Sequence, residues 1–299
     1  MQKQVVALGF FDGVHRGHGG LLSAVRQLAD QLHVPAAAMT FDTHPMTLLT
    51  GQPTPLLNTR EDRALLMERL YGIEKIITLH FDRETMALPW EEFAETYLLE
   101  RFRACALVCG HDFRFGCRGE GTAEKLAAWC EARGLPCRII PKVEIDGQTV
   151  SSTLIRQMVR EGDLEAANRF YGHAHLLTGV VEHGQHLGRT IGIPTVNLAI
   201  PEGLVVPAYG VYAAHLTVDG HTYRAVTNIG CHPTVGACIA PKAESWLPGF
   251  SGNLYGKTVE LELFSRLREE RRFPSLEDMA AEIRRNAEQM QTYFDDHVL

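Results

Sequence analysis

At about Leu176 the chain changes its repeating pattern, and no other feature constrains its fold as strongly. Through about residue 172, short apolar runs at residues 5–10, 36–41, 75–79, 104–109 and 137–141 alternate with helical spacing at 60–71, 89–101 and 122–133. That alternation predicts a parallel sheet covered by helices on both faces. Beyond it come alternating and β-branched runs at 177–182, 209–218, 221–227 and 258–264, punctuated by glycines, which predict a small antiparallel barrel. Asp219-Gly220 tolerates the positive φ of a two-residue hairpin turn, and Pro274-Ser275-Leu276 opens a long final helix with Met279, Ile283, Met290 and Phe294 on its packing face. The expected architecture is α/β: a Rossmann-like domain over 1–172, then an antiparallel β-barrel with a C-terminal helix over 173–299, meeting near Tyr171 to His175.

The first strand runs into Gly9-Phe10-Phe11-Asp12-Gly13-Val14-His15-Arg16-Gly17-His18, and Leu21, Val25, Leu28 and Leu32 follow at helical spacing. Free backbone N–H groups in the first turn of that helix suit an anion, and Gly13 and Gly17 let the backbone approach it. His15 and His18 place ring N–H donors where phosphate oxygens gain charge as a nucleotide's α-phosphorus is attacked. Strand, Gly-flanked His-x-Gly-His and amphipathic helix, in that order, give the context that such a motif requires.

Ligand sites in these sheets lie beyond the carboxyl ends of the strands. Two further loops fall there: Phe41-Asp42-Thr43-His44-Pro45 and Gly110-His111-Asp112-Phe113-Arg114-Phe115-Gly116. His44 also reads as a turn residue, Asp112 as a cap, and Phe113 and Phe115 as core. Ser151-Ser152-Thr153-Leu154-Ile155-Arg156 starts a second helix whose hydroxyls and arginine make a compact anion receptor, the alternative for Arg156 being a surface pair with Glu161 or Asp163.

A net charge of −7 without a Lys/Arg run argues against a nucleic-acid surface. No stretch reaches the roughly 20 apolar residues that span a bilayer, and the N-terminus enters a strand without a signal-peptide pattern, so the expected compartment is the cytoplasm. Seven cysteines without Cys-x-x-Cys suit reduced, mostly buried thiols, and Cys109, His111 and Cys117 lack the spacing of a zinc finger.

Gly9-x-Phe-Asp-Gly-x-His-x-Gly-His18, Phe41-x-x-His-Pro45, Gly110-x-Asp-Phe-Arg-Phe-Gly116 and Ser151-Ser-Thr-x-x-Arg156 together resemble the adenylyltransferase half of bacterial bifunctional riboflavin kinase/FAD synthetases. Gly184-x-x-x-Gly188-Arg-Thr-x-Gly192-x-Pro194-Thr195-x-Asn197, Pro207-x-x-Gly-Val-Tyr212, Asn228-Ile-Gly230-x-x-Pro233-Thr234 and Leu254-Tyr-Gly256-Lys257 are similar to the kinase half.

The resemblance implies phosphorylation of riboflavin by ATP to FMN, then adenylylation of FMN to FAD with release of pyrophosphate. It implies that Thr195 and Asn197 hold Mg²⁺ and nucleotide, that Glu244 takes the proton of riboflavin's terminal ribityl hydroxyl, and that Gly184, Gly188 and Gly192 shape the loop over the phosphates. The partners so implied are small molecules only: riboflavin, FMN and ATP. Around Glu244 the chain departs from the pattern, with Pro241, Lys242 and Pro248-Gly249 in unusual places, and a proline there deletes a ladder hydrogen bond. The expectation is a shorter or displaced strand, and the alternative is a single-activity FMN adenylyltransferase whose degenerate kinase half acts as a flavin-binding or regulatory module. Asn286 also stands where relatives carry aspartate.

Overall fold

Strand β1 (Gln4–Leu8) is sealed on both faces, with Val5, Val6 and Ala7 wholly inaccessible, so it must lie at the centre of a covered sheet. The computed structural model describes residues 2–184, 192–231, 233–234, 237–238 and 240–297. In it β1 pairs in parallel with β2 (Ala36–Phe41) and β4 (Ala104–Gly110), and β3 (Lys75–Leu79) and β5 (Cys137–Ile140) complete the order β3-β2-β1-β4-β5. The chain runs outward from β1 on one side and from β4 on the other, so β1 and β4 flank the point where strand order reverses.

Helix α1 (Arg16–Leu32) packs on β1, β2 and β4 through its buried Leu21, Leu22, Val25 and Leu28. Short α2 (Pro45–Thr50) buries nothing, whereas α3 (Arg60–Tyr71) packs on α1. Two short helices, α4 (Arg83–Ala87) and α5 (Trp90–Phe93), follow β3, and α5 widens into a π-helical stretch over Ala94–Arg101. Phe93, Leu98 and Phe102 from that segment, with Leu126 and Trp129 of α6 (Ala123–Glu131), cover Val6, Leu8, Met39 and Leu107 of the sheet.

Contacts divide the chain into two compact units, Met1–Ser152 and Thr153–Leu299. The change of sequence pattern comes later, at Gly172, whose positive φ ends α8 (Leu164–Tyr171). Helix α7 (Ser152–Glu161) and α8 carry helical spacing like the first domain, yet α8 is tied to the barrel: Asn168 Nδ2 donates to Leu263 O at 2.9 Å, and the His175 N–H donates to Asn168 Oδ1 at 2.8 Å.

The second unit is a six-stranded antiparallel sheet of β6 (His175–Val180), β7 (Thr195–Ala199), β8 (Gly210–Val218), β9 (His221–Gly230), β10 (Lys242–Trp246) and β11 (Thr258–Glu269). Its order is β6-β11-β8-β9-β10-β7, and a bridge from Glu182, just beyond β6, to Asn197 of β7 curls its two edges together. Val218 pairs with His221 across Asp219 and Gly220, at φ 50 and 76, as the hairpin signal predicts. Ser275 caps α9 (Leu276–Asp296), and Met290 and Phe294 of that helix pack on Val211, Val226 and Phe264.

β10 is neither displaced nor truncated, contrary to the expectation from its prolines. It pairs with β7 and β9 through all five residues, because Pro241 lies just before it and contributes only its carbonyl, to the Ile200 N–H at 3.2 Å. The expectation of reduced thiols also needs one correction. Cys105, Cys109, Cys117, Cys130 and Cys137 are free, but Cys231 is disulfide-bonded. Among the described residues, no helix is long and apolar enough to cross a membrane.

Candidate active sites

Backbone strain marks the first site. Between β1 and α1, Phe11, Gly13 and Val14 all take positive φ (59, 83 and 40), a conformation that a β-branched valine adopts only when its surroundings impose it. Phe11 and Val14 supply that constraint by complete burial, and Asp12, only 2% exposed, accepts the Leu57 N–H at 2.9 Å. Ser152 Oγ donates to the Asp12 carbonyl at 2.9 Å, so the hydroxyl segment is tied directly to this loop.

The strained loop delivers His15 and His18. His15 is the N-cap of α1, its Nδ1 accepts the His18 N–H at 3.3 Å, and the two rings stack with centroids 3.6 Å apart. Phe11 meets His18 edge-on at 5.3 Å. A Cβ on Gly17 would lie 3.0 Å from the His15 ring, and one on Gly9 3.0 Å from the Phe11 ring, so a side chain at either position presses the ring by a few tenths of an ångström. Burial holds the His18 pKa well below the ordinary imidazole value, and the charges of His15 and Arg63 lower it further. At neutral pH His18 is therefore a neutral ring, and its sealed Nδ1 has no hydrogen-bond partner among the described residues.

Nearby strand ends contribute unequally. His44 meets Phe10 edge-on at 4.6 Å while its Nδ1 accepts the Met46 N–H at 3.2 Å, so it serves as the cap of α2 as well as a wall. Asp112 is exposed and folds back over Gly110, where a Cβ would come 3.1 Å from Asp112 Oδ1. Phe115 is buried core and Phe113 stacks on it at 5.3 Å, the structural alternative for both. Ser151 and Ser152 end the first unit; in the second, Thr153 of α7 is exposed and its Arg156 is only 9% exposed, unlike a surface ion-pair residue. Sequence reasoning missed Arg63, which reads as the polar face of α3 but is 3% exposed. It donates to the Phe10 carbonyl at 2.6 Å and lies over the Phe10 ring at 4.4 Å.

The barrel site is built by register. Asn197 of β7 and Asn228 of β9 both pair with Glu244 of β10, which places an amide, a carboxylate and an amide side by side across three strands. Thr195 lies two residues before Asn197, on the same face. Thr195, Asn228 and Glu244 line a cavity of about 220 Å³ that Trp246, Arg268 and Asn286 help to enclose. Arg268 Nε donates to Asn286 Oδ1 at 3.0 Å, and Asn286 is 1% exposed. Met279 and Ile283 of α9 line this cavity as well, a different role from the apolar contact made by Met290 and Phe294. A Cβ on Gly184 would fall 2.5 Å from Asn197 Nδ2, so only glycine lets the chain pass there. Gly192 takes φ +73, and Gly188 lies outside the described residues. Asn228, Arg268 and Trp246 carried no sequence signal of a site; the motif around Asn228 named the residue but gave it no role.

A strained strand-to-helix loop at the reversal point of a parallel sheet, joined in one chain to a barrel with a hydroxyl–amide–carboxylate cavity, is an arrangement suited to a nucleotide-dependent transferase with two sites. The FAD synthetase family model matches residues 1–154 and the riboflavin kinase model residues 171–294, and the chain belongs to the family of bifunctional riboflavin kinase/FMN adenylyltransferases. It is 32% identical to the protein of that name from Bacillus subtilis, over 98% of this chain and 93% of the relative. Its identity to the Escherichia coli K12 protein of the same name is 34%, over 94% and 90%. A crystal structure from Streptococcus pneumoniae, named as a macrolide-efflux protein, superposes with a TM-score of 0.85 at 30% identity, covering 97% of this chain and 94% of that one.

Proposed function

We propose that the chain phosphorylates riboflavin in its barrel and adenylylates the resulting FMN in its parallel-sheet domain, with catalytic domains over 1–172 and 173–299. In the barrel, the Glu244 carboxylate accepts the proton of riboflavin's terminal ribityl hydroxyl as the oxygen attacks the γ-phosphorus of ATP, and ADP leaves. The donor set fits Mg²⁺ in one respect: hydroxyl and amide oxygens of Thr195 and Asn197 are hard ligands, and the missing Cβ of Gly184 leaves Asn197 its room. Among the described residues no group of three His, Cys, Asp or Glu could hold a metal, so Thr195 and Asn197 would hold Mg²⁺ jointly with ATP phosphate oxygens. The ion would neutralise charge on the phosphates.

In the first domain, an FMN phosphate oxygen attacks the α-phosphorus of a second ATP and pyrophosphate leaves. An FMN phosphate is already largely ionised near neutral pH, so no strong base is required. Charge neutralisation and alignment are. His15 and His18, with the backbone N–H groups of Gly17 and its neighbours, donate to the α-phosphate oxygens. Ser151, Ser152, Thr153 and Arg156 hold phosphate oxygens, Gly9, Phe11, Asp12 and Gly13 shape the loop, and His44 and Asp112 bound the pocket. We place the reaction in the cytoplasm, with small molecules as its partners, which accords with its use of ATP.

The observation that carries two activities rather than one is the intact β10, which keeps Glu244 in register with Asn197 and Asn228. Purified protein with riboflavin and Mg-ATP should yield FMN and ADP, then FAD and pyrophosphate. Formation of FAD only from supplied FMN would remove the kinase half of this reading.

A further inference from the structure

The second turn of α9 carries a carboxylate that the proposed chemistry does not use. Glu282 is 8% exposed, and a glutamate is buried to that degree only where cations meet it. Three of them meet Glu282. Arg271 Nη2 lies 2.8 Å from its Oε2, Arg285 Nη1 lies 3.1 Å from the same oxygen, and Arg268 Nε lies 3.6 Å from its Oε1. Among the described residues Arg268 and Arg271 have no other ion-pair partner.

Two of these arginines belong to the barrel site. Arg268 and Arg271 line the cavity that holds Glu244, whereas Glu282 and Arg285 face an outer hollow of about 430 Å³. Phe273 lines the cavity as well, and both guanidiniums lie over its ring, Arg271 at 5.1 Å and Arg268 at 5.5 Å. Two like charges that converge on one ring repel each other, and long side chains have many rotamers to escape into. A single carboxylate bound to both cancels the repulsion and fixes the two planar groups. Asn286, one turn further along α9, adds a neutral bond: its Oδ1 accepts from Arg268 Nε at 3.0 Å, while its Nδ2 donates to Gln289 Oε1 at 3.0 Å.

We infer that Glu282 is a positioning residue of the kinase reaction. It stands behind the cavity wall and holds Arg268 and Arg271 against Phe273, so that the three present one fixed surface to riboflavin. The inference rests on the reading of that cavity as the riboflavin site. With a neutral residue at 282 the two cations lose their counter-charge and turn toward other acceptors, Glu270 on the same cavity wall among them. Glu244 and Asn228 keep their places, because ladder register and not α9 holds them. Loss of the Glu282 charge therefore weakens riboflavin binding and spares the chemical step.

The test compares the full chain with Glu282→Gln, reading riboflavin affinity from the quenching of flavin fluorescence and turnover from FMN formed with Mg-ATP. Glutamine keeps the length of the side chain but not its charge, so Kd and KM for riboflavin should rise about tenfold, as for a positioning group displaced by a fraction of an ångström, while kcat stays within about threefold. Asn286→Asp added to Glu282→Gln returns a carboxylate to Arg268 Nε and should recover most of the lost affinity. Arg285→Ala removes only the outer, 68% exposed member of the cluster and should leave Kd and kcat within about twofold of wild type. Should Glu282→Gln not fold by circular dichroism, Glu282→Asp, which keeps the charge but shortens its reach, takes its place with the same expected rise. An unchanged Kd in the folded variant would overturn the inference, and so would a loss carried by kcat instead of affinity or a double variant no tighter than Glu282→Gln. Affinity is read without turnover, so absence of FMN from the wild-type chain would count against the kinase reading and not against the role of Glu282.

Discussion

The two sites are assembled in opposite ways. In the parallel-sheet unit, a few consecutive residues do most of the work: the chain is forced through three positive-φ positions between Phe11 and Val14, and the strain is held by burying their side chains, so that two stacked imidazoles emerge at one helix start. In the barrel Glu244 sits within a regular strand, Lys242–Trp246. Asn197, Glu244 and Asn228 come from three strands and are aligned only by ladder register, while Asn286 arrives from the final helix. A site made by a loop is sensitive to local backbone freedom; a site made by register is sensitive to whatever slides a strand.

The largest effect expected from this contrast is at the barrel's carboxylate. Glu244→Gln keeps the shape of the row but removes the proton acceptor, and FMN formation should fall by about 10²–10⁴-fold, as for loss of a general base, with FAD synthesis from supplied FMN unchanged. High-performance liquid chromatography of flavins reads both; a loss of less than threefold would detach Glu244 from the proton transfer.

Next come the glycines, which separate the two modes of assembly. Gly184→Ala puts a Cβ 2.5 Å from the Asn197 amide, a distance that forces the amide or the chain to move. The KM for Mg-ATP in the kinase reaction should rise about tenfold or more, since small misplacements of a positioning group cost up to about 10²-fold. Gly17→Ala presses on the His15 ring at 3.0 Å, where a shift of a few tenths of an ångström relieves the contact, so FAD synthesis should fall by severalfold, about tenfold at most. Normal adenylylation in Gly17→Ala with displaced His15 would show that stacking of the two rings is unnecessary.

The smallest expected effect is on stability in acid. Burial, then the charge of His173, lowers His175 to about 3, and His18 is lowered by burial, then by His15 and Arg63. Both folded values lie below the unfolded imidazole value of about 6.5, so below that pH the unfolded chain binds more protons than the folded one. Stability is complete above about pH 6.5 and is lost as pH falls from there toward 3, by about 1.4 kcal/mol per pH unit for each such histidine within its window. Urea midpoints between pH 7.5 and 4.5 should drop accordingly, and His175→Gln should flatten the slope. An unchanged slope in that variant would mean that His175 is protonated in the folded chain.

What could be read from residue order follows the same division. The run from Gly9 to His18 is contiguous, so its glycines, histidines and strand-to-helix setting were visible together, as were β2, β3 and the Asp219-Gly220 hairpin. Arg63 was not, because helical spacing placed it on a polar face although the Phe10 carbonyl draws it inward. Asn228, Trp246 and Arg268 were hidden for a related reason: cross-strand pairs have no fixed spacing in sequence. The prolines flanking β10 misled for a local reason, since Pro241 sits one residue before the ladder begins and removes none of its bonds. The placement of α7 and α8 with the second unit also escapes pattern reading, because helical spacing says which face is buried but not against what.

The central claim is that the two transfers occur at separate sites, one served by His18 and the other by Glu244. Its most direct test is His18→Ala given riboflavin and Mg-ATP, with FMN and FAD followed together. The account predicts that FMN accumulates at the wild-type rate while FAD formation falls by about 10²–10³-fold, the loss typical of one donor to a developing negative charge. Equal loss of FMN and FAD in a variant with wild-type circular dichroism would contradict it.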